Sequence, residues 1–366
     1  MSKTLAEVMK DFNKNAKSDI MTVGVPDIHY DRIPFSSPQL NYMTYGGLPR
    51  NTLIEFSGSD SSGKSSLALD VVKNAQALFQ KEHEIQIEKL EQETSKKATT
   101  QLEELRARGE KKVLYVDAEN TLYPEWVEKF GVDQESLIVV QPESHSADDL
   151  FQLVRETIQT GEIGLVVFDS FGAVHSEQQF NKEIGEQTYG GIAKALTTFS
   201  KFLIQDCKKY SCTFIGLNQL RADLGNPYGG TTTVGGKGWS HDCVLKLALR
   251  QDATINEKGG EEPKSFAFPF GQISKVTFSK NKRTSKERGM QRFSISFNGG
   301  VDYVRDTILF AIDHGIIEQT GAWFTYVDKE TGEIITKSQG FSNLKLFFSQ
   351  DSENFARLQK EVGEII

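Results

Sequence analysis

From Thr52 onward the chain alternates two hydrophobic rhythms. Short, nearly continuous apolar runs occupy residues 53–58 (LIEFSG), 113–119 (VLYVDAE), 164–170 (GLVVFDS), 213–218 (TFIGLN) and 244–249 (VLKLAL). The first is followed by a glycine-containing loop and then by SSLALDVVKNAQALF, whose apolar positions recur at helical spacing. Continuous apolar strands separated by helices belong to a largely parallel sheet covered on both faces, because each strand must be apolar on both sides.

Three segments depart from this rhythm. Near the start, Leu5, Val8, Met9 and Phe12 follow the i, i+3, i+4, i+7 spacing of a short amphipathic helix. Such a helix is too short to stand alone, so its stripe needs cover, either from its own domain or from a neighbouring subunit. Residues 80–112 hold eight acidic and eight basic residues among sparse apolar ones. This predicts a solvated helical excursion turning near Thr94–Thr99, with Thr100 and Glu103 as a capping box for a second helix. After about residue 300, ILFAIDHGII, the turn-rich AWFTYVDKETGE and a final helix FARLQKEVGEII predict a small α+β unit. The expected organisation is an N-terminal arm (1–36), an α/β core (37–300, with a helical insertion at about 77–107) and a C-terminal α+β domain (301–366).

Composition narrows the function classes. The 366 residues are 38% hydrophobic and 25% charged, as expected for a soluble globular protein. A net charge of −8 excludes a uniformly basic nucleic-acid coat but permits local basic patches. Cys207, Cys212 and Cys243 have no metal spacing and suggest a reducing compartment. No apolar run reaches the roughly 20 residues of a membrane span, and the charged start lacks a signal-peptide pattern, so a cytoplasmic protein without membrane contact is expected.

The chemistry concentrates in a few motifs. Gly58, Ser59, Asp60, Ser61, Ser62, Gly63, Lys64 and Ser65 match GxxxxGK[ST] between a strand and a helix. In that context backbone N–H groups cradle phosphates, Lys64 reaches the β- and γ-phosphates, and the Ser65 hydroxyl ligates Mg²⁺. Asp169 closes an apolar strand, as suits a carboxylate of the Mg²⁺ shell. Glu119, at the end of another strand, is placed to orient or deprotonate an attacking water. Residues 275–292 hold seven basic residues and one acid, which suits phosphate contact with nucleotide or nucleic acid.

Together GSDSSGKSS, YVDAENTLYPEW, LVVFDS, EIGEQTYGG, GLNQLR, GNPYGGTTTVGG, KVTFSKNK and GAWFTY, in this order, resemble the bacterial RecA recombinase family along nearly the whole chain. A generic P-loop ATPase shares only the first and third. The resemblance implies a RecA-type ATPase core that uses ATP and Mg²⁺. It places the phosphate loop at Gly58–Ser65 with Ser66 beside it, the catalytic glutamate at Glu119 and the Walker B aspartate at Asp169. Trp126 falls at the adenine-stacking position and Gln219 at the γ-phosphate sensor. Lys280 and Lys282 match lysines that reach a neighbouring subunit's ATP.

Two DNA loops are implied. The first carries Tyr189, followed by Lys194 and Lys201; the second runs from Arg221 through Leu224 to Gly235 and Gly236. The implied partners are single- and double-stranded DNA, further copies of the chain in a helical filament, and mediator and single-strand-binding proteins. The N-terminal helix and the following SDIM look like the family's polymerisation segment. His241 departs from the family's interface phenylalanine, the second loop is shorter, the acidic tail is missing, and the insertion leaves both a bacterial and a viral member open. A hexameric, helicase-like motor on the same fold is the contrasting reading.

Overall fold

The computed structural model describes residues 3–16, 31–143, 145–177, 191–222, 231–282 and 289–366. Two compact units divide at Asp31 and Arg32. In the first, helix α1 (Leu5–Ala16) carries Leu5 and Val8, two residues of the expected amphipathic stripe, exposed at 72% and 41%.

The second unit is built on one large sheet. Its parallel part comprises β3 (Leu53–Gly58), β4 (Lys112–Asp117), β5 (Leu137–Val140), β6 (Ile163–Asp169), β7 (Thr213–Ala222) and β9 (Leu245–Ile255). These stand in the order β9-β3-β7-β6-β4-β5. Beyond β9 the sheet turns antiparallel through β11 (Gly271–Asn281), β12 (Met290–Ser296) and the short β13 (Gly300–Val301). The basic segment 275–292 is thus a hairpin on the antiparallel flank; its residues 283–288 lie outside the described residues.

The period-2 alternation of strand side chains sorts the core into two layers. Ile54 and Phe56, Val113 and Tyr115, and Leu165 and Val167 face α3 (Lys64–Glu91), against its Leu67, Val71, Ala75 and Phe79. Leu53, Leu114, Val116, Val166, Phe168 and Phe214 face the opposite way. They meet α6 (Ala147–Gln159) and the later α7 (Gly191–Tyr210) through Phe151, Val154, Phe199 and Leu203. Burial on both faces is why these strands read as continuous apolar runs.

The excursion is a helical hairpin. Helix α3 runs on well past Phe79, and α4 (Lys96–Arg108) returns beside it. The expected capping box at Thr100 is not there: Ser95 is the N-cap, its Oγ accepting from Ala98 N at 3.1 Å, while the Thr100 hydroxyl donates back to Lys96 O at 3.2 Å. Ser95 satisfies an otherwise orphaned first-turn N–H, so the helix starts one turn earlier. Among the elements that went unread in the sequence are β5 and α6. Helix α6 is closed by a capping box of Ser146 and Asp149.

After α5 (Pro124–Lys129) and α8 (Gly236–Asp242), the chain ends in α9 (Tyr303–Asp313), a small antiparallel sheet, α10 (Phe341–Gln350) and α11 (Ser352–Gly363). The sheet comprises β14 (Ile317–Thr320), β15 (Trp323–Val327) and β16 (Ile334–Gln339). Of the stretch AWFTYVDKETGE, residues 323–327 form the central strand β15, whose Phe324 and Tyr326 fill a separate small core, and the turn follows at 328–333. This end is joined to the larger core by α2 (Pro38–Thr44). Gln39 donates to Asp306 O at 2.8 Å, and Tyr42 packs edge-on to Phe310 at 5.7 Å between ring centroids.

Candidate nucleotide and nucleic-acid site

Four neighbouring parallel strands deliver their carboxyl ends to one place, where open α/β sheets hold ligands. Gly58 of β3 stands in register with Gln219 of β7, and Asp117 of β4 with Asp169 of β6. The chain then leaves each strand into the loops that the sequence marked out.

The phosphate loop is shaped by sterics. Gly63 has φ +91°, and a Cβ there would lie 2.8 Å from Ile295 Cδ1 and 2.9 Å from Ser274 Oγ. At Gly58 a Cβ would meet Ser62 Oγ at 2.4 Å and the Leu249 carbonyl oxygen at 2.5 Å. No side chain caps the N-terminus of α3, so its first-turn N–H groups stay available. Ser62 Oγ is buried without a partner, and Lys64 Nζ folds back onto Gly58 O (3.1 Å) and Ser59 O (2.9 Å). Burial holds the Lys64 amine below its usual range, against the opposing pull of Asp169, Asp60 and Glu119. An uncapped helix N-terminus, an orphaned hydroxyl and a lysine with only carbonyl partners fit the oxygens of a polyphosphate. Ser59 and Asp60 are exposed at the loop's tip, and Ser61 and Ser66 flank the turn into α3.

Ser65 Oγ donates to Asp169 Oδ2 at 2.7 Å, bringing the two expected Mg²⁺ residues together. Tyr115, which sequence reading missed, is buried and donates its hydroxyl to the same oxygen at 2.8 Å. Its position on an apolar strand gave no signal of this role. Burial raises the Asp169 carboxyl above its ordinary range, although the Ser65 and Tyr115 hydrogen bonds oppose the shift. Burial likewise pushes the Tyr115 phenol well up, so it stays a donor. A cation at Asp169 would favour the ionised carboxylate that burial disfavours. Among the described residues no group of three or more His, Cys, Asp and Glu could hold a metal ion.

Glu119 Oε1 accepts from Ser170 Oγ and from Gln219 Nε2, the latter at 3.3 Å. The expected general base and the expected sensor are therefore in direct contact. Asp117 is fully buried and shapes the turn that presents Glu119: its carboxylate accepts from Thr121 N and Leu122 N at 3.0 Å and from Gln141 Nε2 at 3.1 Å. Trp126 on α5 is half-buried, edge-on to Phe130 at 5.1 Å, with Lys129 Nζ 5.9 Å from its ring centroid.

The candidate DNA residues divide. Lys194 and Lys201 are exposed on α7, seven residues apart and so on one helical face. Tyr189 and Leu224 lie outside the described residues, as does the Arg221 side chain. The base of the second loop is a ladder between β7 and β8 (Thr231–Thr233), with Arg221 opposite Thr232. Gly235, at φ +104°, lets α8 approach α7: a Cβ there would meet Leu196 Cδ2 at 2.4 Å. Gly236 follows at φ +62°. Lys280 Nζ donates to Ser240 O and, at 2.8 Å, to His241 O, which also accepts from Lys282 Nζ at 2.9 Å. Within one subunit both lysines are thus held on the last carbonyls of α8.

The strand–loop–helix unit at Gly58–Ser65 and the strand-end Asp169 mark a P-loop core of the RecA type. The family model "RecA N-terminal domain" matches residues 79–302, more than half of the chain. Proteins named "Protein RecA" are similar along nearly all of it. The one from Acidothermus cellulolyticus is 30% identical over 91% of this chain and 84% of its own length. That from Chlorobaculum parvum is 29% identical over 96% and 88%, and that from Frankia casuarinae 27% over 100% and 92%. The chain belongs to the RecA family, and its function lies in DNA recombination and repair. No helix among the described residues is long and apolar enough to cross a membrane.

Proposed function

We propose that the chain polymerises on single-stranded DNA as a helical filament, pairs it with homologous duplex and exchanges strands, using DNA-dependent ATP hydrolysis. The observation that carries this reading is a connected path: Gln219 and Ser170 both donate to Glu119, Ser170 is joined through the chain to Asp169, and Asp169 accepts from Ser65 at the mouth of the phosphate loop. It connects the root of a DNA loop to the groups that would handle a γ-phosphate.

In this reading Gly58–Ser66 and Lys64 bind the triphosphate, Trp126 stacks on the base, and Ser65 and Asp169 hold Mg²⁺. Held there, the ion would neutralise charge developing on the transferred phosphoryl group. Glu119 orients and deprotonates the attacking water. Gln219 leaves or keeps its bond to Glu119 according to the phosphate present. Lys280 and Lys282 act in trans on a neighbour's ATP, so hydrolysis requires assembly. Residues 1–36 serve as the polymerisation arm, 37–300 as the ATPase core and 301–366 as a C-terminal domain. DNA is held through phosphate contacts from Lys194, Lys201 and Arg221 and through stacking at Tyr189 and wedging at Leu224, which gives little sequence preference and strong salt dependence. Gly235 and Gly236 let the loop's backbone approach the strand. Mediator and single-strand-binding proteins would load and clear the filament in a reducing, cytoplasmic setting.

Electron microscopy with single-stranded DNA and a slowly hydrolysed ATP analogue tests the reading. Open helical filaments are expected; closed rings would overturn it in favour of a hexameric motor.

A further inference from the structure

The face of β3 that meets α7 and α8 carries one charge. Glu55 is fully buried and alternates with Leu53 and Ser57. A carboxylate so placed is strongly disfavoured unless it is paired. It stands in register with Lys246 of β9, whose Nζ lies 3.0 Å from Glu55 Oε1, and with Gly216 of β7. Gly216 lacks the Cβ that would come within 2.9 Å of Trp239 Cζ2. The Trp239 indole therefore fits beside β7, and its Nε1 donates to Glu55 Oε2. Asn218 Nδ2 reaches the same oxygen at 3.4 Å.

Each partner leads elsewhere. Asn218 clasps Val234, donating to its carbonyl at 2.7 Å and accepting from its N–H at 3.1 Å. That closes the base of the second DNA loop, with Gln219 as the next residue. Lys246 Nζ donates to Ser240 Oγ at 3.1 Å. Ser240 and His241 are the residues whose carbonyls hold Lys280 and Lys282. Trp239, Ser240 and His241 occupy one turn of α8, a helix of seven residues. So short a helix has little stability of its own, so its pose is set by these tertiary bonds.

We infer that Glu55 is a positioning residue that couples the root of the DNA loop to Lys280 and Lys282 by fixing α8 between them. A change at the loop base, transmitted through Asn218 and Trp239, moves the turn whose carbonyls hold the lysines, and so sets whether they are free to reach a neighbouring subunit. Glu55 touches neither nucleotide nor DNA in this scheme. The inference rests on the proposed trans role of the two lysines.

The test compares full-length wild type, Glu55→Gln, Lys246→Met and the double variant well below each melting temperature, reading DNA-stimulated kcat and KM for ATP separately. Each single change should lower stimulated kcat about tenfold or more with KM within about twofold, because an interaction that acts after ATP binding is lost. The double variant should be no worse than either single one, as expected for groups acting as a unit. A folded Glu55→Gln with unchanged stimulation overturns the inference. So does a loss of kcat that merely follows the fraction of unfolded protein. If Glu55→Gln does not fold, a folded Trp239→Phe, which loses the indole donor together with part of a buried ring, decides in its place: stimulation lost beyond any loss of folded protein supports the coupling, and retained stimulation overturns it. Lys280→Ala with Lys282→Ala is the control. Stimulation surviving there removes the trans reading itself; stimulation lost there but kept in Glu55→Gln overturns only the present inference.

Discussion

Gln219 Nε2 lies 3.3 Å from Glu119 Oε1, joining the strand that leads into the proposed DNA loop to the carboxylate beside the proposed phosphate loop. A hydrogen bond of this kind between residues 100 positions apart lets a change at one end be read at the other.

Glu119→Gln should retain ATP and DNA binding while slowing hydrolysis at least about tenfold, a floor set below the roughly 10²–10⁴-fold that a general base typically contributes. Steady-state turnover alongside nucleotide and DNA titrations checks it; unchanged turnover removes Glu119 from the role.

Lys280→Ala combined with Lys282→Ala should abolish DNA-stimulated hydrolysis and leave nucleotide binding untouched, because neither side chain contacts its own subunit's phosphate loop. Mixing such subunits with Glu119→Gln subunits should restore some turnover, since each then supplies what the other lacks. No recovery on mixing would count against action in trans.

Deleting residues 80–107 should leave strand exchange intact. Ala98 and Leu105 are the buried residues of α4, so little apolar surface is lost. The deletion does remove Glu82, which pairs with Arg50 on the far side of Phe79. A modest drop in melting temperature is therefore expected without loss of pairing activity. A folded deletion variant that cannot exchange strands would give the hairpin a role in assembly or partner binding.

Stability should fall as pH rises from about 4 to 7, through Asp306. This carboxyl is fully buried, accepts from Ser294 N at 3.1 and 3.2 Å, and is pushed up by burial from its ordinary 3.8 to about 7. The folded state therefore keeps a proton that the unfolded chain releases. The stability this contributes is fully present below the unfolded value and is lost as pH approaches the folded one, at up to about 1.4 kcal/mol per pH unit. Asp306→Asn, neutral throughout, should flatten that part of the curve. Urea unfolding at pH 5 and pH 7 reads the difference; identical pH slopes in both proteins would dismiss Asp306 as the source.

Much of the site was legible because its chemistry is local. Gly58, Gly63, Lys64 and Ser65 owe their arrangement to one loop, where spacing along the chain is spacing in space. Asp169 and Glu119 stand at or just past the ends of apolar strands, and a parallel sheet must bring such ends together. Tyr115 was not legible, since a tyrosine on a buried strand looks the same whether it fills space or donates to a carboxylate. The cap of α4 was misplaced by five residues because Thr100 and Ser95 both offer a hydroxyl, and only packing against α3 selects between them.

The amino-acid order by itself determined the alternating architecture, the phosphate loop and the family, because periodicity and short motifs are written in consecutive residues. Tertiary structure alone decided that Glu55 would neutralise Lys246, that Tyr115 would complete the shell of Asp169, and that Lys280 and Lys282 would rest on the carbonyls of α8. Each of these depends on strands distant in sequence becoming neighbours in one sheet. Burying charged and polar groups there leaves them no partners except one another.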